Sequence, residues 1–155
     1  MLIENWFYQL FGTIIESIAM VALGTALIKQ KYNWKQISLA GLIIGLIGFL
    51  LQRMPIKYGV HIPLGMITFM LILNIVLKLN ILKSATVSLI SFMLVILAEV
   101  LTVLVQTRLL NYSEEQLLNA TDLSKFLFSL PPLLIIIGLA IIMQIRLYRK
   151  KEDKG

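Results

Sequence analysis

Glu16 and Glu99 stand inside two of the most apolar stretches of this 155-residue chain, IESIAM and LAEVLT. An ionised carboxylate surrounded by hydrocarbon is costly, so such residues face a protein interior and are paired, protonated or hydrated. The chemistry open to them is electrostatic: holding a proton, a cation or a hydrogen-bond donor. Glu99 belongs to a stripe. Ser84, Ser88, Ser91, Val95, Glu99, Thr102 and Gln106 follow at spacings of 4, 3, 4, 4, 3 and 4, so one helical face is polar at six of seven positions. Glu16 shares a face with Gln9, Thr13, Met20 and Gly24. At 1.5 Å per residue the two carboxylates lie roughly 13 and 10 Å from the helix ends nearer to them, which lets them meet in the outer half of a bundle.

The stretch RMPIKYGVHIPLGM, residues 53 to 66, supplies the cations closest to that level, Arg53, Lys57 and His61, with Arg108 beside them. Pro55 is expected to end one helix or form a tight turn, Gly59 gives backbone freedom, and Pro63 suits the first turn of the next helix. His61 then points from a helix N-terminus toward the polar core. The candidate ligand-binding or switch residues are therefore Glu16, Glu99, Arg53, His61, Gln52, Thr102 and Gln106. A plainer role stands beside this one: Glu99, Thr102, Gln106 and Arg53 as hydrogen-bonding glue between helices, at roughly 0.6 to 2 kcal/mol per contact, and His61 as an interfacial anchor. A third pattern, Ser38, Gly41, Gly45, Gly48 and Gln52, is a stripe of small residues containing a GxxxG pair. Gly41, Gly45 and Gly48 predict close helix packing.

Catalytic signatures are absent. One histidine and no cysteine rule out HExxH, histidine-rich and thiolate metal sites, and neither GxSxG nor GxxxxGK[ST] occurs. Intramembrane aspartyl proteases need aspartates in glycine-rich motifs that this chain lacks. Neither an enzyme nor a bound cofactor is expected.

The elements that position these residues follow from composition. The chain is 59% hydrophobic and 14% charged, with a mean hydropathy of +0.90, whereas soluble domains are about 45–50% apolar and about 25% charged. Five apolar segments run from about Phe7 to Ile28, Gln36 to Leu51, Ile62 to Leu77, Ser84 to Val105 and Leu130 to Leu147. The expectation is an all-α, polytopic transmembrane helical bundle over 1–148 with a basic tail at 149–155. The second and third segments are short for spans, so a four-span or re-entrant arrangement of that pair stays open. Ten of the fourteen Lys and Arg residues fall in the first loop, the third loop and the tail. This bias puts the N-terminus outside and the C-terminus in the cytoplasm of an inner (plasma) membrane protein. The net charge of +6 then reports orientation rather than nucleic-acid binding. The N-terminus lacks the basic region of a cleaved signal and is expected to stay as the first span. The outer loop Leu109 to Ser129 contains a capping box at Ser113 and Gln116 and predicts a short amphipathic surface helix, and Pro131 and Pro132 mark the first turn of the last span. That span carries only Gly138 and Gln144 as small or polar residues and is expected at the periphery.

The run ESIAMVALGTALI, the loop RMPIKYGVHIPLG and the AEV of the fourth segment together resemble the membrane sensor region upstream of histidine-kinase domains in some spore-forming Firmicutes. Those regions show a proline, an aromatic residue and GxH, matched here by Pro55, Tyr58, Gly59 and His61, with Glu16 and Glu99 matching their acidic positions. The resemblance covers about residues 10 to 105. It stops short of any phosphoacceptor helix or ATP-binding domain, which implies an isolated sensor module, a piece of a longer protein, or a stand-alone relative of a separate kinase.

The leading expectation is a sensory or signalling membrane module. It acts through a cytoplasmic kinase or another membrane subunit, in contact with the lipid bilayer, alone or as a homo-oligomer. The alternatives are a small transporter or channel subunit that uses the carboxylates for proton or cation movement, and a structural subunit of a membrane complex.

Overall fold

The computed structural model describes residues 2–29, 33–54, 60–108 and 122–152, with side chains described throughout except at 2–6, 61, 122–129 and 147–152. Among these residues the chain is entirely helical. The elements are α1 (Leu2–Leu27), α2 (Trp34–Arg53), α3 (His61–Val76), α4 (Ile81–Arg108) and α5 (Asp122–Glu152). Phe7–Leu27, Trp34–Arg53 and Ile81–Arg108 are long and apolar enough to cross a membrane, while Ile62–Val76 and Leu130–Arg146 are shorter apolar helices. Large apolar side chains cover the outside of the bundle, among them Leu82 at 77% exposure and Ile75 at 67%. Such a surface suits lipid, the solvent in which exposed leucine and isoleucine cost nothing.

The helices form a ring in chain order, α1 to α5, closed where α5 returns to α1, and α1 also touches α4 across the ring. Two features set the register. Gly41 and Gly45 bring α2 onto α1: a Cβ at Gly41 would lie 2.6 Å from the Cα of Ile18, and one at Gly45 2.7 Å from the Cα of Ile14. Only a residue with no side chain permits that approach. On the other side, Ser88 Oγ donates to the Met66 carbonyl at 2.9 Å, and the rings of Phe69 and Phe92 meet edge-on at 5.9 Å. The glycine contacts run α2 antiparallel to α1, and the four residues 77–80 between α3 and α4 turn that pair back on itself as well.

Polar punctuation fixes the helix ends. The Lys83 amide donates to Asn80 Oδ1 at 2.9 Å, a side-chain cap for the start of α4. Lys29 and Lys78, just past α1 and α3, have φ of 57° and 53°. This left-handed geometry costs a non-glycine residue about 1 kcal/mol, offset in part by a positive charge at the negative end of a helix dipole.

Two expectations are corrected. First, α5 does not begin at Leu130: it starts at Asp122 and runs through Pro131 and Pro132. Proline's fixed φ is helical, and its cost is the missing N–H, which leaves the Leu127 and Phe128 carbonyls without their usual donors. Residues 122–129 are thus the first turns of α5 rather than a separate surface helix, and 109–121, with the capping box, lie outside the described residues. Second, α5 is not peripheral. Ile136, Ala140 and Gln144 are buried at 1%, 3% and 7% exposure, and α5 packs on both α1 and α4. Helix association in lipid needs shape rather than polarity, and an Ile-Ala stripe supplies it.

Candidate functional site: a cavity among four helices

Where α1 leaves α2's glycine seam and faces α3 and α4, the helices part around a cavity of about 260 Å³. From α1 come Thr13, Glu16, Ser17 and Met20, one helical face at spacings of 3, 1 and 3. From α2 come Ile44, Gly48 and Gln52, from α3 Ile62, Gly65, Thr68 and Phe69, and from α4 Phe92, Val95 and Glu99. Each set spans about two turns, so the cavity is about 10 Å tall.

The space exists because of what the lining residues lack. A Cβ at Gly65 would meet nothing closer than the Phe92 ring at 3.5 Å, and one at Gly48 nothing closer than Thr13 Cγ2 at 3.5 Å. Both glycines therefore leave room for an added methyl group. One end is polar, with Glu16, Glu99, Gln52 and Thr13. The opposite end is apolar, formed by Met20, Ile44, Phe69 and Val95.

Glu16 and Glu99 come from different helices and line the same cavity. Glu16 is half-buried and Glu99 is exposed. α3 begins at His61, and its Gly65 and Phe69 pack on Phe92. Glu99, two turns above Phe92, thus stands about level with the first turn of α3, where the wall on that side is lowest. Gln52 joins them and is tied to α1 by a long hydrogen bond from Gln9 Nε2 to Gln52 Oε1, 3.4 Å. Neither carboxylate has a hydrogen-bond or ion-pair partner among the described residues.

The other predicted site residues lie elsewhere. Arg53 is exposed and does not line the cavity; its guanidinium sits over the Phe49 ring, 4.4 Å from the centroid. A guanidinium at a helix end keeps water and gains a ring face in that position, whereas turning into a half-enclosed cavity would forfeit its hydration. Thr102 is buried but donates to the Ala98 carbonyl of its own helix at 2.8 Å, which satisfies it locally. Gln106 is buried two turns beyond Glu99, above the cavity. The backbone of His61 opens α3, but its side chain, like Pro55, Lys57, Tyr58 and Gly59, lies outside the described residues. Of the glycines, Gly48 lines the cavity while Gly41 and Gly45 form the seam.

Ser17 and the aromatic wall of Phe69 and Phe92 are lining residues that the sequence patterns did not single out. Ser17 was findable, being four residues from Thr13 and on the same face. The phenylalanines carried no signal, since apolar aromatics are ordinary in a membrane helix.

Two carboxylates, an amide and the hydroxyls of Thr13, Ser17 and Thr68 give the cavity far more acceptors than donors, set against an aromatic wall. That combination favours positive charge, either a small cation with its water or an ammonium group able to lie on a ring face. Among the described residues, no group of three or more His, Asp or Glu side chains converges as a metal site. Comparison of the chain with family models, with characterised proteins and with solved structures gives no match.

Proposed function

We propose that this chain is a five-span membrane module, N-terminus outside and C-terminus in the cytoplasm, that holds a small cation or ammonium group between Glu16 and Glu99 and signals its occupancy to a cytoplasmic or membrane partner. One observation carries the reading: two like-charged carboxylates on different helices face one cavity, with no described partner for either. Structural glue would give these groups partners. A positive ligand relieves their repulsion, so the cavity binds charge at the junction of α1 and α4.

The signalling half rests on where Glu16 sits. It lies between Ile14 and Ile18, the two residues on which Gly45 and Gly41 pack. Drawing Glu16 toward Glu99 therefore pulls directly on the α1–α2 seam, and a helix in such contact moves as a unit. The distribution of Lys and Arg supports the orientation. The resemblance to kinase sensor regions supports the sensory role. The inner-membrane location rests on the same charge distribution, and the basic residues within 146–155 are where a cytoplasmic partner would engage.

The test is thermal unfolding of the purified chain in detergent with sodium, potassium, ammonium or tetramethylammonium chloride at constant ionic strength. At least one cation is expected to raise the midpoint by several degrees at saturation, and Glu16→Gln and Glu99→Gln to abolish the rise. No shift from any of the four, or shifts unchanged in both variants, overturns the reading. Cation flux into liposomes that Glu99→Gln abolishes makes the cavity a transport site instead. Capture of a specific cytoplasmic partner through residues 146–155, without flux, supports sensing.

A further inference from the structure

Below the cavity, on the same face of α4 as Glu99, three serines descend toward the opposite end of the bundle. Ser91, Ser88 and Ser84 are all buried, at 0%, 2% and 0% exposure. Among the described residues the Oγ atoms of Ser84 and Ser91 have no hydrogen-bond partner, and Ser88 Oγ donates to the Met66 carbonyl. Successive serines rise by about 4.5 and 6 Å along the helix, a spacing that one or two waters bridge between hydroxyls.

Five of the six described threonines provide the comparison. Thr13, Thr25, Thr86, Thr102 and Thr107 each donate to a carbonyl three or four residues back in their own helix. Ser84 and Ser91 have the same option and are not using it. Ser91 faces α1, its Oγ 3.7 Å from where a Cβ of Gly24 would stand. A buried hydroxyl without a partner costs about 1–3 kcal/mol, and ordered water is the usual partner for such groups. Gln144 Oε1 of α5 is a third buried oxygen without a partner among the described residues.

We infer that Ser91, Ser88 and Ser84 line a water-holding path that continues the Glu16–Glu99 cavity to the end of the bundle marked by Lys83. Met20, Phe69 and Val95, which close the apolar end of the cavity, form the dry section between the two wet regions. Ser84, in the first turn of α4, is the entrance of the path, and the short dry section parts its water from that around the carboxylates. This inference rests on the cavity proposed above.

The chain has no cysteine, so single serine-to-cysteine substitutions report water access without background. The protein in liposomes is exposed to silver ions, which need water to reach a thiol, and the remaining thiol is titrated after unfolding in detergent. Ser84→Cys, Ser88→Cys and Ser91→Cys are expected to react at least tenfold faster than Leu89→Cys and Met93→Cys, neighbours on the exposed side of α4. Adding Ser84→Val to Ser91→Cys is expected to slow that reaction about tenfold, provided the variant keeps the unfolding transition of the single substitution. Serine positions that react less than tenfold faster than the two outward positions overturn the path. Thr13→Cys and Thr68→Cys separate the two failures. If they react and the serine positions do not, the path alone is wrong. If they too stay unreactive, the hydrated cavity and the proposed function fail together.

Discussion

Helix α1 has two sides that behave in opposite ways. Toward α2 it is met backbone to backbone at Gly41 and Gly45, while toward α3 and α4 it stands back around about 260 Å³ of space. Both sides are built from residues that are unusual in an apolar helix, and the difference lies in which kind. Absent side chains on the partner close a gap between helices; polar side chains on both partners hold one open, because carboxylates and hydroxyls keep room for whatever satisfies them. The seam and the cavity thus share α1 as a common wall.

The comparison breaks most severely if the seam is filled. Gly41→Val places carbon atoms inside the backbone of Ile18, and the expected result is loss of the folded bundle, read as loss of cooperative unfolding in detergent. The control is Gly138→Ala, where a Cβ meets nothing within 4 Å; it is expected to leave the midpoint unchanged or to raise stability by up to about 1 kcal/mol.

Next comes the core beside the cavity. Phe69→Ala removes a side chain at 0% exposure that packs on Phe92, and a loss of about 3–5 kcal/mol is expected, with a weaker cation response because the ring wall has gone. Glu16→Gln sharpens the comparison in the other direction. Removing one of two facing like charges is expected to stabilise the ligand-free protein by about 1 kcal/mol while deleting its response to cations. A fall in stability would mean that Glu16 is held by a favourable contact and is glue after all.

The smallest effect is expected away from both sides. Lys78→Gly relieves a φ of 53° at the cost of a charge near a helix end, for a net gain of a few tenths of a kcal/mol in chemical unfolding.

How much of this was legible depended on the physical signal. The glycine stripe of α2 was readable because small residues at spacings of 3 and 4 have few uses in a membrane helix other than close approach. The inward face of α4 was readable because six of seven positions at helical spacing are polar, and six of the seven are buried. Arg53 lies apart from the cavity because a long side chain has several surfaces within reach, and the Phe49 ring one turn back is among them. Thr102 was misjudged because a threonine on a polar stripe can satisfy itself within its own helix. The role of α5 was missed because a stripe of isoleucine and alanine looks the same whether it meets lipid or protein.

The length of α3 carries a last consequence. Its 16 residues extend about 24 Å, several ångströms less than a typical hydrocarbon layer of ~30 Å. In the five-span arrangement proposed above, α3 matches a bilayer of short acyl chains, while the 28-residue α4 beside it reaches across a thick one and must lean. The two neighbours that wall the cavity thus prefer different membranes. The tilt between them, and with it the separation of Glu16 from Glu99, becomes a function of lipid chain length.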